Sequence, residues 1–198
     1  MIFQEKSMTD QTITDSVKNY YGEVLASKND LKTSACCPID AMPKHLIPLL
    51  RNIHPDIQDK FYGCGSPIPH ALEGKTVLDL GCGTGRDVYL LSQLVGESGK
   101  VIGIDMTANQ LDVAKQYQEY HQQKFNHKNS NVEFHQAYIE DLQAAGILDN
   151  SIDVVVSNCV INLSPQKEQV FKEIFRVLKP GGELYFSDVF SSRRITPA

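Results

Sequence analysis

From Lys75 onward, short apolar segments alternate with segments of helical periodicity, and this alternation constrains the fold more than any other feature of the sequence. Successive strands that are joined by helices pair in parallel, with the helices packed on both faces of the sheet. The chain is therefore predicted to adopt an α/β fold with a doubly wound, mostly parallel sheet. Strands are expected at residues 76–80, 100–105, 131–137, 151–158 and 183–190, and helices at residues 88–95, 108–125 and 167–178. A Pro-Gly-Gly triplet at 180–182 is expected to end the last helix.

Residues 1–72 lack the strand–helix alternation of the rest and are predicted to form an N-terminal helical extension to a domain at residues 73–198. An amphipathic helix is expected at residues 14–27, with Thr14 or Asp15 as its N-cap. We expect a loop at residues 30–43, a short helix at residues 44–53 and an irregular segment rich in Gly and Pro at residues 61–69.

Charge and composition exclude several classes of protein. A net charge of -5 provides no basic surface for nucleic acid. No apolar run reaches the roughly 18 residues of a membrane span, and the polar N-terminus lacks the apolar segment of a signal peptide. The 5 cysteines are odd in number and widely spaced, unlike the disulfide framework of a secreted protein. We therefore expect a cytoplasmic protein that binds neither nucleic acid nor membrane.

A glycine-rich loop follows the first predicted strand, with Asp79 ahead of Gly81, Gly83 and Gly85. Glycines at a strand–helix junction allow a tight turn and let a ligand approach the backbone closely. The spacing differs from that of dinucleotide-binding loops, and Asp79 suits a cationic amino-acid group better than a pyrophosphate. Asp105 ends the second strand, where an acidic side chain can bind the vicinal hydroxyls of a ribose. An adenosine-containing ligand is expected, while a helix-cap or loop role stays open for either aspartate.

Several segments identify a family. VLDLGCGTG at 77–85, GIDM at 103–106 and RVLKPGGEL at 176–184 resemble the class I S-adenosylmethionine-dependent methyltransferases, which share a Rossmann-like sheet. The cysteine-bearing segments YGCG at 62–65 and SNCVINL at 157–163 are more specific, and with YYG at 20–22 and YIE at 138–140 they resemble the arsenite methyltransferases. The resemblance extends from Tyr20 to Asp188, nearly the whole chain.

The resemblance implies a chemistry for the cysteines. Arsenic(III), free or as a thiol conjugate, would be bound by the thiolates of Cys64 and Cys159, and soft thiolates suit this thiophilic centre. Cys36 matches the position that forms a disulfide with Cys64 in the oxidised enzyme, which a thiol reductant such as thioredoxin or glutathione would reverse. Cys37 has no assigned role, and Cys82 is interpreted as a small residue that fits the glycine loop.

The resemblance also implies the contacts of S-adenosylmethionine. Its methionine part would lie against Asp79 and the glycine loop, and its ribose and adenine edge against Asp105 and Met106. The remaining expected contacts are Ile139 and Glu140 beside the adenine and Asn158 near the methionine or sulfonium region. Three aromatic residues are predicted either to cover the site or simply to pack: Tyr20, Tyr21 and Tyr62.

Members of that family continue beyond the fifth strand with a further arsenic-binding cysteine and more strands, whereas this sequence ends at Ala198. The domain at residues 73–198 is therefore expected to lack a third thiolate and the last strands of the sheet. Three hypotheses stay open. The chain methylates thiolate-bound arsenic(III), it methylates another small acceptor, or it binds arsenic or S-adenosylmethionine without catalysis.

Overall fold

A parallel sheet of five strands forms the centre of the protein in the computed structural model, which describes residues 9–25, 42–63 and 65–190. The strand order is β3-β2-β1-β4-β5, with every neighbouring pair parallel. This confirms the predicted α/β class with a doubly wound sheet. The strand order reverses between β1 and β4, which makes a crevice at their carboxyl ends. The strands are β1 (Thr76–Leu80), β2 (Lys100–Asp105), β3 (Val132–Gln136), β4 (Ile152–Asn158) and β5 (Leu178–Ser187).

Helices cover both faces of the sheet, because side chains of a strand alternate between its faces. Val77 of β1 packs in one apolar cluster with residues of α4, and Leu78 packs in a second cluster with residues of α7. The segment before β1 adds Leu46 and Ile53, which flank α2, and Ile57 of α3 to the first cluster. The helices are α1 (Asp10–Asn19), α2 (Ile47–Leu50), α3 (Pro55–Asp59), α4 (Arg86–Val95), α5 (Ala108–Gln116), α6 (Gln118–Lys124) and α7 (Lys167–Val177).

The N-terminal helix begins earlier than predicted. Thr9 is the N-cap of α1, and its hydroxyl oxygen accepts a hydrogen bond from the backbone N–H of Thr12 at 3.3 Å. Thr14, predicted as a cap, lies inside the helix and donates its hydroxyl hydrogen to the Asp10 carbonyl at 3.1 Å. The helix continues as a π-helical turn at Tyr20–Val24, and the predicted loop at residues 30–43 lies almost wholly outside the described residues.

The single long helix predicted at residues 108–125 is two helices, since the backbone breaks at Tyr117 between α5 and α6. The Tyr117 ring stacks on His54 with 3.8 Å between ring centroids, and its hydroxyl donates to the Asp56 carboxylate. Both partners come from the N-terminal extension, which the helical periodicity of residues 108–125 could not indicate.

The Pro-Gly-Gly triplet lies within β5 and does not precede it. α7 ends at Val177, one residue before the predicted end, and β5 begins at once with Leu178. Ile152 pairs with Leu178 but Val154 pairs with Glu183, so the triplet bulges out of the strand. A bulge of this kind is tolerated because β5 is an edge strand with one paired neighbour among the described residues.

Within the described ranges, no helix is both long enough and apolar enough to cross a membrane.

His121 gives the fold a dependence on pH. Its ring is 1% exposed and stacks on Tyr89 at 3.7 Å between centroids. Its Nε2 accepts from the His54 backbone N–H at 3.2 Å, while Nδ1 lies 2.7 Å from the Tyr117 carbonyl, so the neutral ring with hydrogen on Nδ1 satisfies both contacts. Burial lowers the pKa of His121 from 6.5 to about 4.

We therefore predict that the protein loses stability as the pH falls. The unfolded chain takes up a proton on His121 below about pH 6.5 and the folded protein only near pH 4, so the stabilising difference disappears across that interval. Denaturant unfolding should show a loss of about 1–2 kcal/mol between about pH 7 and about pH 5. His121→Phe should flatten this change, whereas His135→Gln should leave it intact. Equal pH dependence of wild type and His121→Phe would contradict the assignment.

Candidate functional site

A cavity opens at the carboxyl ends of β1, β2 and β4, where the strand order reverses. The space between its lining atoms is about 1030 Å³, including the part that is open to solvent. The N-terminal extension closes one side with Thr14, Val17 and Tyr21. The sequence predicted nine site residues that line this one cavity: Asp79, Gly81, Gly83, Asp105, Met106, Ile139, Glu140, Asn158 and Cys159.

Three predicted site residues stand apart from this group. Cys36 and Cys64 lie outside the described residues, and so does their predicted pairing. Gly85 does not line the cavity. It is the N-cap of α4 with φ of 86°, and a Cβ there would lie 3.0 Å from the Phe134 ring. Glycine at this position is therefore required by a left-handed backbone and by packing on β3.

The Asp105 carboxylate fixes the glycine loop at the cavity floor. One oxygen accepts from the Gly83 backbone N–H at 2.8 Å and the other from the Thr107 backbone N–H at 2.8 Å. Gly81 precedes this contact with φ of 70°, and a Cβ there would lie 2.9 Å from the Cβ of Val160. The loop after β1 is thereby tied to the end of β2 and passes close under the segment after β4.

The cavity floor carries an excess of negative charge. Burial and the nearby charges of Asp87 and Asp105 raise the pKa of Asp79 well above its ordinary value, which Arg86 counteracts in part. Burial also raises the pKa of Asp105. A ligand that brings a positive charge to this floor would stabilise the ionised carboxylates.

Gln110 is a cavity residue that sequence reasoning missed. Its Nε2 donates to the Tyr21 carbonyl at 2.8 Å, while its buried Oε1 has no hydrogen-bond partner among the described residues. Next to it, Asn109 Nδ2 donates to the Gly22 carbonyl at 3.1 Å. These bonds attach the π-helical turn to α5 and leave an unsatisfied acceptor at the cavity. Gln110 could have been predicted from its position in the first turn of the helix that follows Asp105, close to the carboxyl end of β2.

Asp87 was also missed, although it lines the cavity and is 5% exposed. Its Oδ1 accepts two hydrogen bonds from Arg86, and its Oδ2 accepts from Asn158 Nδ2 at 2.9 Å. The Asn158 amide also bonds the backbone of Gly65. These contacts join α4, the end of β4 and the Gly-rich segment before β1. Local sequence patterns cannot predict these contacts, because the residues that form them lie far apart in the sequence.

Cys159 leaves β4 in a left-handed conformation with φ of 60°, and its backbone N–H donates to the Ser187 carbonyl at 2.7 Å. Its sulfur is disulfide-bonded. Cys82 is the other cysteine of the described residues and is a free thiol. Burial raises the pKa of Cys82 well above its ordinary value, which makes it a poor nucleophile.

Apolar and aromatic side chains also line the cavity. Ile139 is 8% exposed, and the neighbouring Glu140 carboxylate accepts from the Ser164 hydroxyl. Tyr21 and Tyr62 line the cavity, while Tyr20 contacts the Tyr21 ring edge-on at 5.3 Å between centroids. Side chains of this kind can contact a flat heterocycle.

Known proteins are similar to this chain in sequence and in fold. The family model described as a methyltransferase domain matches residues 71–195. Arsenite methyltransferases are similar to the chain: that of Aquipseudomonas alcaligenes is 56% identical over 91% of the chain and 52% of its own length. That of Homo sapiens is 52% identical over 94% of the chain and 50% of its own length.

Among solved structures, an arsenic(III) S-adenosylmethionine methyltransferase from Chlamydomonas reinhardtii is 49% identical, with a TM-score of 0.77 over 79% of the chain and 52% of that protein. The resemblance to arsenite methyltransferases is confirmed, and the chain spans about half the length of the curated relatives it matches. The family model covers more than half of the chain and includes all five strands of the sheet. The chain belongs to the methyltransferase domain family.

Proposed function

We propose that this chain binds S-adenosylmethionine in the cavity and transfers its methyl group to arsenic(III) bound by cysteine thiolates. The observation that carries the proposal is that Cys159 lines the same cavity as Asp79 and Asp105. A thiophilic acceptor on one wall would then face a site for an adenosine-containing cation. The arsenic chemistry named for the similar proteins supports this choice of acceptor.

The residues of the cavity fit S-adenosylmethionine. The buried Asp79 carboxyl group suits the ammonium of the methionine part, and left-handed Gly81 and Gly83 let a ligand approach the backbone. Asp105 retains lone pairs for ribose hydroxyls beyond its two backbone bonds. Gln110 Oε1 offers a buried acceptor that a ligand hydrogen would satisfy.

S-Adenosylmethionine, when bound, supplies an electrophilic methyl group on a sulfonium centre. The thiolates of Cys159 and Cys64 would bind arsenic(III) while leaving its lone pair free. No side chain has to remove a proton from such an acceptor, so the chain contributes alignment and exclusion of water. Residues 73–198 would bind the cofactor, and residues 1–72 would help to form the acceptor side.

Cys159 can bind arsenic only as a thiolate, and its sulfur is in a disulfide. A thiol reductant such as thioredoxin or glutathione must therefore act before arsenic binds. This requirement supports a cytoplasmic location, where such reductants are abundant.

Asp105→Asn should weaken the binding of S-adenosylmethionine at least about 10-fold, because a bond to a charged group contributes roughly 1.5–3 kcal/mol. The amide can no longer accept from both Gly83 and Thr107, so the loop and the ribose contact are lost together. Isothermal titration calorimetry measures the affinity. Asp112→Asn, which changes an exposed carboxylate on α5, is the matched control. An unchanged dissociation constant for Asp105→Asn would remove Asp105 from the cofactor site.

Cys159→Ser should abolish the formation of methylated arsenic while the affinity for S-adenosylmethionine is kept, since an alcohol does not replace a thiolate on arsenic. The reduced protein is incubated with arsenite or methylarsenite, and the products are separated by chromatography. Cys64→Ser should behave in the same way, and Cys37→Ser serves as the control.

Other results would select other functions. Normal turnover of both variants on a non-arsenical acceptor would favour a different small-molecule methyltransferase. Arsenic binding by the wild type without any methylated product would identify a binding protein.

A further inference from the structure

The Gln110 side chain lies between the cavity and the N-terminal extension. It is 7% exposed and lines the cavity from the first turn of α5. Its Nε2 donates to the Tyr21 carbonyl at 2.8 Å, and its buried Oε1 has no hydrogen-bond partner among the described residues. A buried acceptor without a partner is rare in folded proteins, because it has lost its bonds to water and gained none in return. Gln110 Oε1 is therefore available to a ligand.

The Tyr21 carbonyl determines which way the Gln110 amide points. A carbonyl oxygen only accepts hydrogen bonds, so the NH₂ group of the amide must face it. Rotation of the amide by half a turn would bring two acceptor oxygens together. Gln110 therefore cannot satisfy its own oxygen by rotating, and Oε1 stays directed away from the Tyr21 carbonyl.

The free oxygen of Gln110 faces the glycine loop. It lies 3.8 Å from the position that a Cβ on Gly83 would occupy, and no other atom of the described residues comes within 4 Å of that position, apart from Gly83 and its chain neighbours. The Gly83 N–H donates to Asp105 Oδ2 at 2.8 Å. Two oxygen acceptors, one at the end of β2 and one on α5, therefore approach the same glycine.

Two neighbouring acceptors suit two neighbouring donors. The ribose of an adenosine-containing ligand has hydroxyl groups on adjacent carbons, and each hydroxyl has one hydrogen to donate. Asp105 retains lone pairs beyond its two backbone bonds, and Gln110 Oε1 is an unused acceptor. The other donors of S-adenosylmethionine, its ammonium and its adenine amino group, are expected near Asp79 and Glu140. A ribose hydroxyl is thus the donor that best matches Gln110.

The nitrogen of the Gln110 amide holds the side of the cavity that the N-terminal extension supplies. We define the N-terminal wall as the residues of that extension that line the cavity on α1 and its π-helical turn: Thr14, Val17 and Tyr21. Two side chains of α5 attach the turn, Gln110 through the Tyr21 carbonyl and Asn109 through the Gly22 carbonyl at 3.1 Å. Asn109 is exposed and does not line the cavity. Of these two residues, only Gln110 contacts both the cavity and the turn.

We propose that Gln110 binds a ribose hydroxyl of the cofactor through Oε1 and that this bond couples cofactor binding to closure of the N-terminal wall. The inference rests on the proposed function, in which S-adenosylmethionine occupies the cavity. A hydrogen bond to Oε1 fixes the amide and strengthens the bond that its Nε2 donates to Tyr21. Coupling is reciprocal, so the closed wall strengthens cofactor binding by the same factor by which the cofactor favours closure.

Gln110→Met tests the contact with the ligand, since methionine keeps the length of the side chain and removes both polar atoms. The probe is S-adenosylhomocysteine, which carries the same adenosine and has no methyl group to transfer. The variant should bind it at least about 3-fold more weakly in isothermal titration calorimetry, the effect of one uncharged hydrogen bond. Gln116→Met is the matched control, because Gln116 is exposed on the same helix, and should bind like the wild type. A dissociation constant of Gln110→Met within about 1.5-fold of the wild type would overturn the proposal.

Deoxy analogues identify the ligand group that Gln110 binds. The 2′-deoxy and 3′-deoxy forms of S-adenosylhomocysteine are titrated into the wild type and into Gln110→Met. At least one should bind the wild type more weakly than the parent ligand does. For that analogue the effect of Gln110→Met should shrink to less than about 1.5-fold, because the partner of Oε1 is already missing. Undiminished affinity of both analogues for the wild type, or a full effect of Gln110→Met with both, would overturn the assignment to ribose.

Hydrogen exchange of the π-helical turn measures closure of the N-terminal wall. The Leu25 N–H donates to the Tyr20 carbonyl at 3.1 Å and is protected while the turn is formed. Saturating S-adenosylhomocysteine should slow exchange in the turn at least about 5-fold in the wild type, and clearly less in Gln110→Met. Asn109→Ala removes the other bond to the turn, so its free form should exchange faster while the slowing by ligand persists. Equal slowing in the wild type and Gln110→Met, or none in the wild type, would overturn the coupling.

These measurements separate the coupling from the proposed function. If the wild type binds S-adenosylhomocysteine with the expected dependence on Gln110 but forms no methylated arsenic, methyl transfer is refuted and the coupling stands. If methylated arsenic forms and Gln110→Met binds the probe like the wild type, the coupling is refuted and the proposed function stands. A wild type that does not bind S-adenosylhomocysteine would refute both.

Discussion

The two backbone hydrogen bonds that the Asp105 carboxylate accepts determine how the rest of the site is built. One bond fixes the glycine loop after β1 through Gly83, and the other fixes the start of α5 through Thr107. The first turn of α5 in turn binds the π-helical turn of the N-terminal extension through Asn109 and Gln110. The floor of the cavity and its N-terminal wall therefore depend on a single buried carboxylate.

The cavity floor contains three buried carboxyl groups. Asp79, Asp87 and Asp105 are each less than 10% exposed, and buried carboxylates are costly unless they are compensated. Arg86 compensates Asp87, and backbone N–H groups compensate Asp105. Asp79 is compensated only in part, and its raised pKa shows that the protein does not fully stabilise its ionised form. A cationic ligand would stabilise that form, so the site is built to be more stable when a positive charge is bound.

The sequence predicted the sheet well because its inner strands are apolar on both faces. β1 and β2 begin and end at the predicted residues, and β4 differs by one residue. The glycine loop could also be predicted, because the left-handed backbone at two of its positions favours glycine, and Gly81 and Gly83 are visible in the sequence. Predictions failed where a distant contact decides the local structure, as at Tyr117, where packing on His54 and Asp56 breaks the helix.

The same reason explains which site residues were missed. The predicted residues at strand ends line one cavity because the fold class brings those ends together. Asp87 was not, because its role comes from a contact with Asn158 that lies 71 residues further along the chain. Gln110 was not, because its amide acts on the backbone of Tyr21, 89 residues earlier. Helical periodicity describes which face of a helix is buried, and it does not identify the partner of a polar side chain.

Cys159 has a backbone conformation that is unusual for a cysteine. Among the described residues outside glycine, three have positive φ, and the other two are asparagines, Asn126 and Asn150. Asparagine tolerates the left-handed region, whereas a cysteine there is held at a cost of roughly 1 kcal/mol or more. Glycine would relieve that strain and keep the backbone bond to Ser187, but it would remove the sulfur. The strain at this position is therefore better explained by the bonds of the sulfur than by a preference of the backbone.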